Sequence, residues 1–280
     1  MEVYTVALDI QKEVSELQQM YAESVNSKTF NAIVYGGFGT GKTSLLKTCR
    51  LPVYIDSFDP GGTKSIRGDI DAGRIVADTR WEVEDPKAPT AFEKWDQVYH
   101  KRKREGFFNH FGTYALDSAT TWSDAAMNVI LKKAGRAGGH PFQNDYSPVM
   151  AMLGTAIRDM LTLPCDVILI CHDDIDKDEG SGRMFIGPLF TGKTHRIKMP
   201  LLFDEVYCAM TKETSGSVNY QLLTRATGLY KARTRLGSDG RFQMYEDQNI
   251  KALLTKAGYP TDDKPLFNQN NQDKKEQATQ

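Results

Sequence analysis

Short, nearly continuous apolar runs alternate along this chain with longer segments in which apolar residues recur every third or fourth position. NAIVY (31–35), PVYID (52–56), RIVAD (74–78), TYALD (113–117), CDVILI (165–170) and EVYCAM (205–210) have the composition of strands buried on both faces. TAFEKWDQVYHKRKRE (90–105), WSDAAMNVILKKAG (122–135) and SPVMAMLGTAIRDML (147–161) read as helices between them. This alternation predicts an α/β fold, a mainly parallel sheet with helices on both faces. Past residue 210 the pattern changes to the hairpin-like NYQLLTR and GLYKARTR around glycines, which predicts antiparallel strands at the C-terminal end.

The two ends read differently from the middle. In DIQKEVSELQQMYAES, Ile10, Val14, Leu17 and Tyr21 recur at spacings of four, three and four, one face of a helix. Residues 1–28 are therefore expected to form an N-terminal helix that caps the core or docks on a neighbour. The stretch TDDKPLFNQNNQDKKEQATQ (261–280) has Leu266 and Phe267 as its only large apolar residues, too little to order it. It reads as a disordered polar tail whose PLF centre is a candidate docking segment, leaving 29–260 as the folded domain. Composition changes this picture little: 280 residues, 40% hydrophobic and 25% charged, suffice for one large α/β domain or two small ones. A formal net charge of -1 gives no global attraction to polyanions, so any nucleic-acid surface has to be a local patch. Cys49, Cys165, Cys171 and Cys208 form no C-x-x-C pair and read as buried reduced thiols. No apolar stretch approaches the roughly 18 residues of a membrane span, and the acidic, broken N-terminus does not read as a signal peptide. A soluble cytoplasmic protein without a membrane partner is the expectation.

Candidate chemistry enters with two octets, GGFGTGKT (36–43) and GPLFTGKT (187–194), which both fit G-x-x-x-x-G-K-[ST]. The first follows the strand NAIVY and opens the helical run KTSLLKT, the strand–loop–helix context of a phosphate-binding loop. Gly36, Gly37, Gly39 and Gly41, with Phe38 and Thr40 between them, let successive N–H groups face a phosphate. Lys42 is expected to reach the β and γ oxygens of ATP and Thr43 to coordinate Mg2+, with Ser44 closing the same cofactor-binding loop. The second octet has weaker surroundings: RMFI is a short lead-in, Phe190 replaces a glycine, and Pro200 cuts the following helix short. It is not expected to hold a nucleotide. TYALDS (113–118) is an apolar strand ending in an acid, so Asp117 is the expected magnesium ligand, supported by Ser118. CDVILICHDD (165–174) ends where open α/β sheets bind ligands, which makes His172 a candidate γ-phosphate contact.

Taken in order, GGFGTGKT, PVYIDSFDPGG, YALDS, NDYS, VILICH and KARTRLG resemble the phage-encoded RecA-like P-loop ATPases of the single-strand annealing (Sak-type) class. The likeness spans roughly residues 29–240 and implies the RecA-like P-loop NTPase core shared with RecA recombinases and DnaB-type helicases. It implies a water-polarising glutamate two positions after Asp56, where this chain has Phe58. Asp59, with Asp56 as substitute, is then the carboxylate left for that task. The resemblance also implies His172 as γ-phosphate sensor. Arg233 and Arg235, with Lys231 as alternate, become cations reaching the next subunit's nucleotide, and such a site requires a ring or filament. DIDKDEGSGRMFIGPLFTGKTHRIK (174–198) becomes a glycine-loosened DNA loop. Arg183, Lys193, His195, Arg196 and Lys198 offer phosphate contacts there, and Phe185 a stacking face. GRAGGHPFQND (135–145), with Arg136, His140, Phe142 and Gln143, is the candidate first DNA loop. HKRKRE (100–105) ends a helix and reads as a solvated face, with a DNA contact as the alternative.

The activity these readings add up to is Mg-dependent, DNA-stimulated ATP hydrolysis. The carrier would be a homo-oligomer that binds single-stranded DNA in phage homologous recombination, by annealing or strand pairing. A single-strand-binding protein is a candidate partner. A helicase or packaging motor of the same superfamily is the first alternative, although no accessory domain is visible. A nucleotide-gated DNA-binding scaffold with little hydrolysis is the second, and Phe58 favours it. A small-molecule kinase needs a lid and an acceptor pocket, and the sequence shows neither.

Overall fold

The computed structural model describes residues 8–24, 28–177, 180, 182–214 and 216–267. Every apolar run named above forms a strand. In chain order the strands are β1 (Asn31–Tyr35), β2 (Val53–Ser57), β3 (Ile75–Asp78), β4 (Thr113–Asp117), β5 (Asp166–Cys171), β6 (Asp173–Lys177), β7 (Met184–Pro188), β8 (Glu205–Thr214), β9 (Ser217–Leu223) and β10 (Tyr245–Asp247). One sheet has the order β10-β9-β8-β1-β5-β4-β2-β3, and β6 pairs only with β7. From β8 to β3 every neighbouring pair is parallel. β9 and β10 continue the sheet antiparallel. The fold is therefore α/β, mainly parallel, with antiparallel C-terminal strands.

The helices are α1 (Ile10–Glu23), α2 (Lys42–Leu45), α3 (Arg67–Asp71), α4 (Ala91–Arg104), α5 (Ala119–Lys133), α6 (Tyr146–Met160), α7 (Lys193–Lys198) and α8 (Ile250–Ala257). Strand periodicity sorts the buried side chains onto two faces. Ile33, Tyr114, Leu116, Val167 and Leu169 pack with Trp95 of α4, Trp122 of α5 and Leu153 of α6. Their chain neighbours Ala32, Val34, Ala115, Ile168 and Ile170 pack on the other face with Leu45, Leu46, Ile250 and Leu254. Each large apolar side chain removed from water in this way contributes about 2 kcal/mol.

Four departures from the sequence reading matter for function. First, the helix after the glycine loop is short: α2 gives way to a 3-10 turn at Leu46–Thr48, because the chain must reverse into β2 at Val53. Second, the stretch read as a loose loop at 174–198 folds as the β6–β7 hairpin followed by α7. Third, GLYKARTR forms no strand, only single bridges from Tyr230 to Ile186 and from Arg233 to Val206. Fourth, residues 261–267 lie against the body: Lys264 N–H donates to Leu51 O at 2.8 Å, and Phe267 packs its ring 5.1 Å from that of Phe111. The polar tail read from 261 thus has an attached start, and 268–280 lie outside the described residues. α1 forms as expected, capped by Asp9, but buries none of its residues; Ile10, Val14, Leu17 and Tyr21 are all exposed. No helix among the described residues is long and apolar enough to cross a membrane.

Candidate active site

β1 delivers the chain into residues 36–43 at the C-terminal edge of the sheet. Only glycine fits at two of the turns. A Cβ on Gly36 would stand 2.4 Å from Ala209 O, and Gly41, at φ +82, lies against Tyr220 and Gln248. The loop is braced from within and from behind. Thr40 Oγ1 donates to Gly37 O at 2.9 Å, and Gln248 Nε2 donates to Thr40 O at 2.7 Å. The Lys42 ammonium donates to Gly36 O at 2.6 Å and to Gly37 O at 2.7 Å. Burial draws the Lys42 pKa down, and the nearby Asp117 works against that shift.

Asp117, buried at the end of β4, accepts a 2.7 Å hydrogen bond from Thr43 Oγ1. Burial pushes its carboxyl up to about 6; Asp59 and Glu82 add to the rise, while the Thr43 hydrogen bond and Lys42 oppose it. Ser118 caps α5, accepting from Thr121 N–H at 3.1 Å. Across the opening, His172 Nε2 stands 4.0 Å from Asp59 Oδ1, and the exposed Phe38 ring lies 5.7 Å from the imidazole. Lys42, Thr43, Ser44, Asp59, Asp117 and His172 all line one cleft of about 340 Å3, with Tyr220 on its wall. A hydroxyl and a carboxylate side by side suit Mg2+, which takes one or two protein oxygens and keeps the rest of its shell for water and phosphate.

Asp56 is not in this cleft. It is buried under α4, where Trp81 Nε1, Trp95 Nε1 and Tyr114 OH donate to it at 3.0, 2.9 and 3.0 Å, and Tyr54 OH donates as well. Asp56 therefore does not reach the cleft and is no substitute for Asp59 there. Phe58 is buried too, stacked on Trp81 with its ring 6.4 Å away. HKRKRE is no uniformly solvated face. Arg102 lies over the rings of Tyr54 and Phe107 and reaches Asp78 at 3.0 Å, and Lys103 binds Asp159 at 2.6 Å.

The second octet does have a strand before it and a short helix after it, but Phe190, which stands where the first octet has a glycine, is fully buried in the core. The loop is stitched to the first cleft. Leu189 N–H donates to His172 O at 2.8 Å, His172 N–H to Thr120 Oγ1 at 3.0 Å, and that hydroxyl to Leu189 O at 2.8 Å. Around it, Lys231 sits over the Phe185 ring, and Arg196 pairs with Asp174. Arg183 and Lys193 are engaged within the chain, Lys198 is exposed, and the side chain of His195 lies outside the described residues. In the candidate first DNA loop, Arg136 binds Asp145 at 2.6 Å and stacks over Phe142. The two candidate DNA segments meet: Gln143, Tyr146 and Met150 face Gly192, Lys193, Thr194 and Arg196 across a second cleft of about 330 Å3.

Arg233 and Arg235 do not line the cleft at their own glycine loop. Arg233 bridges Val206 and Arg235 N–H donates to Glu205, residues level with Ile33 and Ala32 in β1. The Arg233 guanidinium donates to the carbonyls of Pro200 and Phe203, and Arg235 pairs with Asp204 at 2.6 Å. Sequence reasoning missed Tyr220 and Gln248, which fold back onto the glycine loop from the C-terminal strands. It also missed Glu82, which bonds Ser57 and Gly61. None of the three sits in a recognisable motif.

A glycine loop closing on a lysine after β1, a hydroxyl next to it, and an acid at the tip of β4 with β5 lying between the two strands define a P-loop nucleoside triphosphatase. The chain belongs to the AAA domain family (AAA_24), which matches residues 28–236. Membership implies use of a nucleotide and usually of Mg2+. No curated protein matches the sequence. Three similar solved structures set the scale of the likeness. The KaiC-like protein of Pyrococcus horikoshii OT3 is 12% identical over 74% of this chain and 82% of its own, with a TM-score of 0.38. The RadB recombinase is 16% identical over 72% and 85%, with a TM-score of 0.42. The flagellar accessory protein FlaH of Methanocaldococcus jannaschii is 12% identical over 78% and 84%, with a TM-score of 0.41.

Proposed function

We propose that this protein is a Mg-dependent ATPase that binds single-stranded DNA as an oligomer and acts in phage homologous recombination, by annealing or strand pairing. Lys42 and the N–H groups of residues 36–44 hold the phosphates, with Thr43 and Asp117 as magnesium ligands. The ion supplies charge neutralisation at the β and γ phosphates when bound. Asp59 orients and polarises the attacking water, and His172 contacts the γ-phosphate across the same cleft. Arg233 and Arg235, which lie outside the cleft of their own loop, meet the nucleotide of another copy.

The observation that carries the DNA half of this reading is the hydrogen-bonded link from His172 through Thr120 to Leu189. A change at the phosphate-facing histidine moves the segment that ends in Lys193 and Arg196. Those two cations share their cleft with Tyr146, so charge and an aromatic surface lie together, as a single strand requires. A second reading, a nucleotide-gated DNA-binding scaffold that hydrolyses little, is favoured by the buried Phe58. A single-strand-binding protein is a further proposed partner.

The test is ATP turnover with and without single-stranded DNA, together with both binding affinities, for wild type, Lys42→Ala and Lys193→Ala. Lys42→Ala is expected to lose nucleotide binding. Lys193→Ala is expected to keep it while DNA affinity falls and depends less steeply on salt. Loss of a bound nucleotide in Lys193→Ala would refute the one-site reading. Wild-type DNA binding without turnover would decide for the scaffold.

A further inference from the structure

The turn that carries Asp59 is pinned from two sides, and one of the pins is a carboxylate without an assigned role. On one side Asp117 O accepts from Phe58 N–H at 2.6 Å and from Asp59 N–H at 3.3 Å. On the other, the two oxygens of Glu82 divide between the ends of the turn: Ser57 Oγ donates to Oε1 at 2.7 Å and Gly61 N–H donates to Oε2 at 3.1 Å. Phe58, Asp59 and Pro60 lie between those two donors. The position of Glu82 is itself fixed, because Trp81 before it stacks on Phe58 and Glu82 N–H donates to Thr79 O. A carboxylate suits this place, since both of its oxygens accept and neither needs a proton. It comes at a cost, for its charge adds to that of Asp59 in holding the Asp117 carboxyl up.

We propose that Glu82 is a positioning residue for hydrolysis, bridging Ser57 and Gly61 so that Asp59 keeps its place in the cleft. The inference rests on the reading of Asp59 as the water-polarising group. Without the bridge, Asp59 stays in the chain but loses its fixed geometry toward the attacking water. Displacements of about 1 Å in such an arrangement cost one to two orders of magnitude in rate.

The experiment is steady-state ATP turnover and nucleotide affinity of the full chain for wild type, Glu82→Gln, Ser57→Ala, Asp59→Asn and the double variant Glu82→Gln/Asp59→Asn, with melting temperatures alongside. Asp59→Asn is expected to lower kcat about a hundredfold. Glu82→Gln is expected to lower it about tenfold with KM and nucleotide affinity unchanged. Ser57→Ala removes one arm of the bridge without touching charge and is expected to lose kcat in the same way, but less. In the Asp59→Asn background Glu82→Gln is expected to have no further effect, because it acts through a group already disabled. An equal loss in both backgrounds overturns the proposal. So does unchanged turnover in Glu82→Gln beside a disabled Asp59→Asn, or a loss that appears in KM or as unfolding while Ser57→Ala turns over normally. A wild type without turnover, or an Asp59→Asn variant with wild-type turnover, removes the underlying reading instead.

Discussion

Replacing Asp56 by alanine separates the two acids that lie close together in the sequence and far apart in role. The substitution leaves the indole N–H groups of Trp81 and Trp95 and the hydroxyls of Tyr54 and Tyr114 without their acceptor, while Arg102, 3.8 Å from Asp56, keeps its closer partner Asp78 at 3.0 Å. An orphaned buried donor costs about 1–3 kcal/mol. Losses at one site do not add, and burial pushes the Asp56 carboxyl up, so its removal returns part of a desolvation cost. The net expectation is a loss of about 4 kcal/mol, against a total stability of about 5–15 kcal/mol for a domain of ordinary size. That corresponds to a fall of roughly 8–16 °C in the melting midpoint. Urea and thermal unfolding followed by tryptophan fluorescence read the effect directly, because two of the indoles report on the site. Asp59→Ala, at a half-exposed turn, is expected to stay within about 0.5 kcal/mol of wild type while turnover collapses. An Asp56→Ala protein that melts like wild type and no longer hydrolyses ATP would transfer the water-polarising role to Asp56 and refute this reasoning.

Three further outcomes follow from the geometry. The Asp117 carboxyl is raised to about 6, so the nucleotide-free folded state keeps a proton that the unfolded chain releases near pH 4. Its contribution to stability is complete below about pH 4 and is lost as pH rises through about 6. The advantage of Asp117→Asn over wild type in magnesium-free melts should therefore grow across that window toward about 3 kcal/mol, and a flat difference would refute it. Lys264→Ala removes an ammonium that bonds the carbonyls of Asn109 and Phe111; a loss of about 1–2 kcal/mol and faster hydrogen exchange over 259–267 are expected, and unchanged exchange would refute the attachment. Thr120→Val cuts the hydroxyl link between His172 and Leu189; DNA stimulation of turnover should fall by about 1 kcal/mol of coupling, and full stimulation would disprove the link.

What the sequence could disclose depended on the range of the physics involved. The six parallel strands and the large helices follow from local periodicity and were legible. The glycine loop was legible as well, since Gly36 through Thr43 are contiguous and Asp117 ends a strand recognisable by itself. Asp56 and Asp59 differ only in what surrounds them, and of the four rings that donate to Asp56 three arrive from 81, 95 and 114. The second octet satisfies a letter pattern, yet its loop is settled by Phe190 entering the core, a long-range packing event. Glu82, Tyr220 and Gln248 reach the site from loops and edge strands whose local pattern is only that of an exposed turn or hairpin.

The ammonium of Lys42 rests on two peptide oxygens of the very loop it serves. In this form the receptor carries its own placeholder, and an incoming ligand competes with the chain before it meets the site. To draw the lysine away it must offer better acceptors than two neutral carbonyls, and the charged oxygens beyond the first phosphate of a di- or triphosphate do so. A nucleoside monophosphate has no group to present there and leaves the placeholder seated. If Lys42 serves the phosphates as proposed, the resting loop discriminates against monophosphates by itself, while a diphosphate, the spent form of ATP, still competes with the triphosphate.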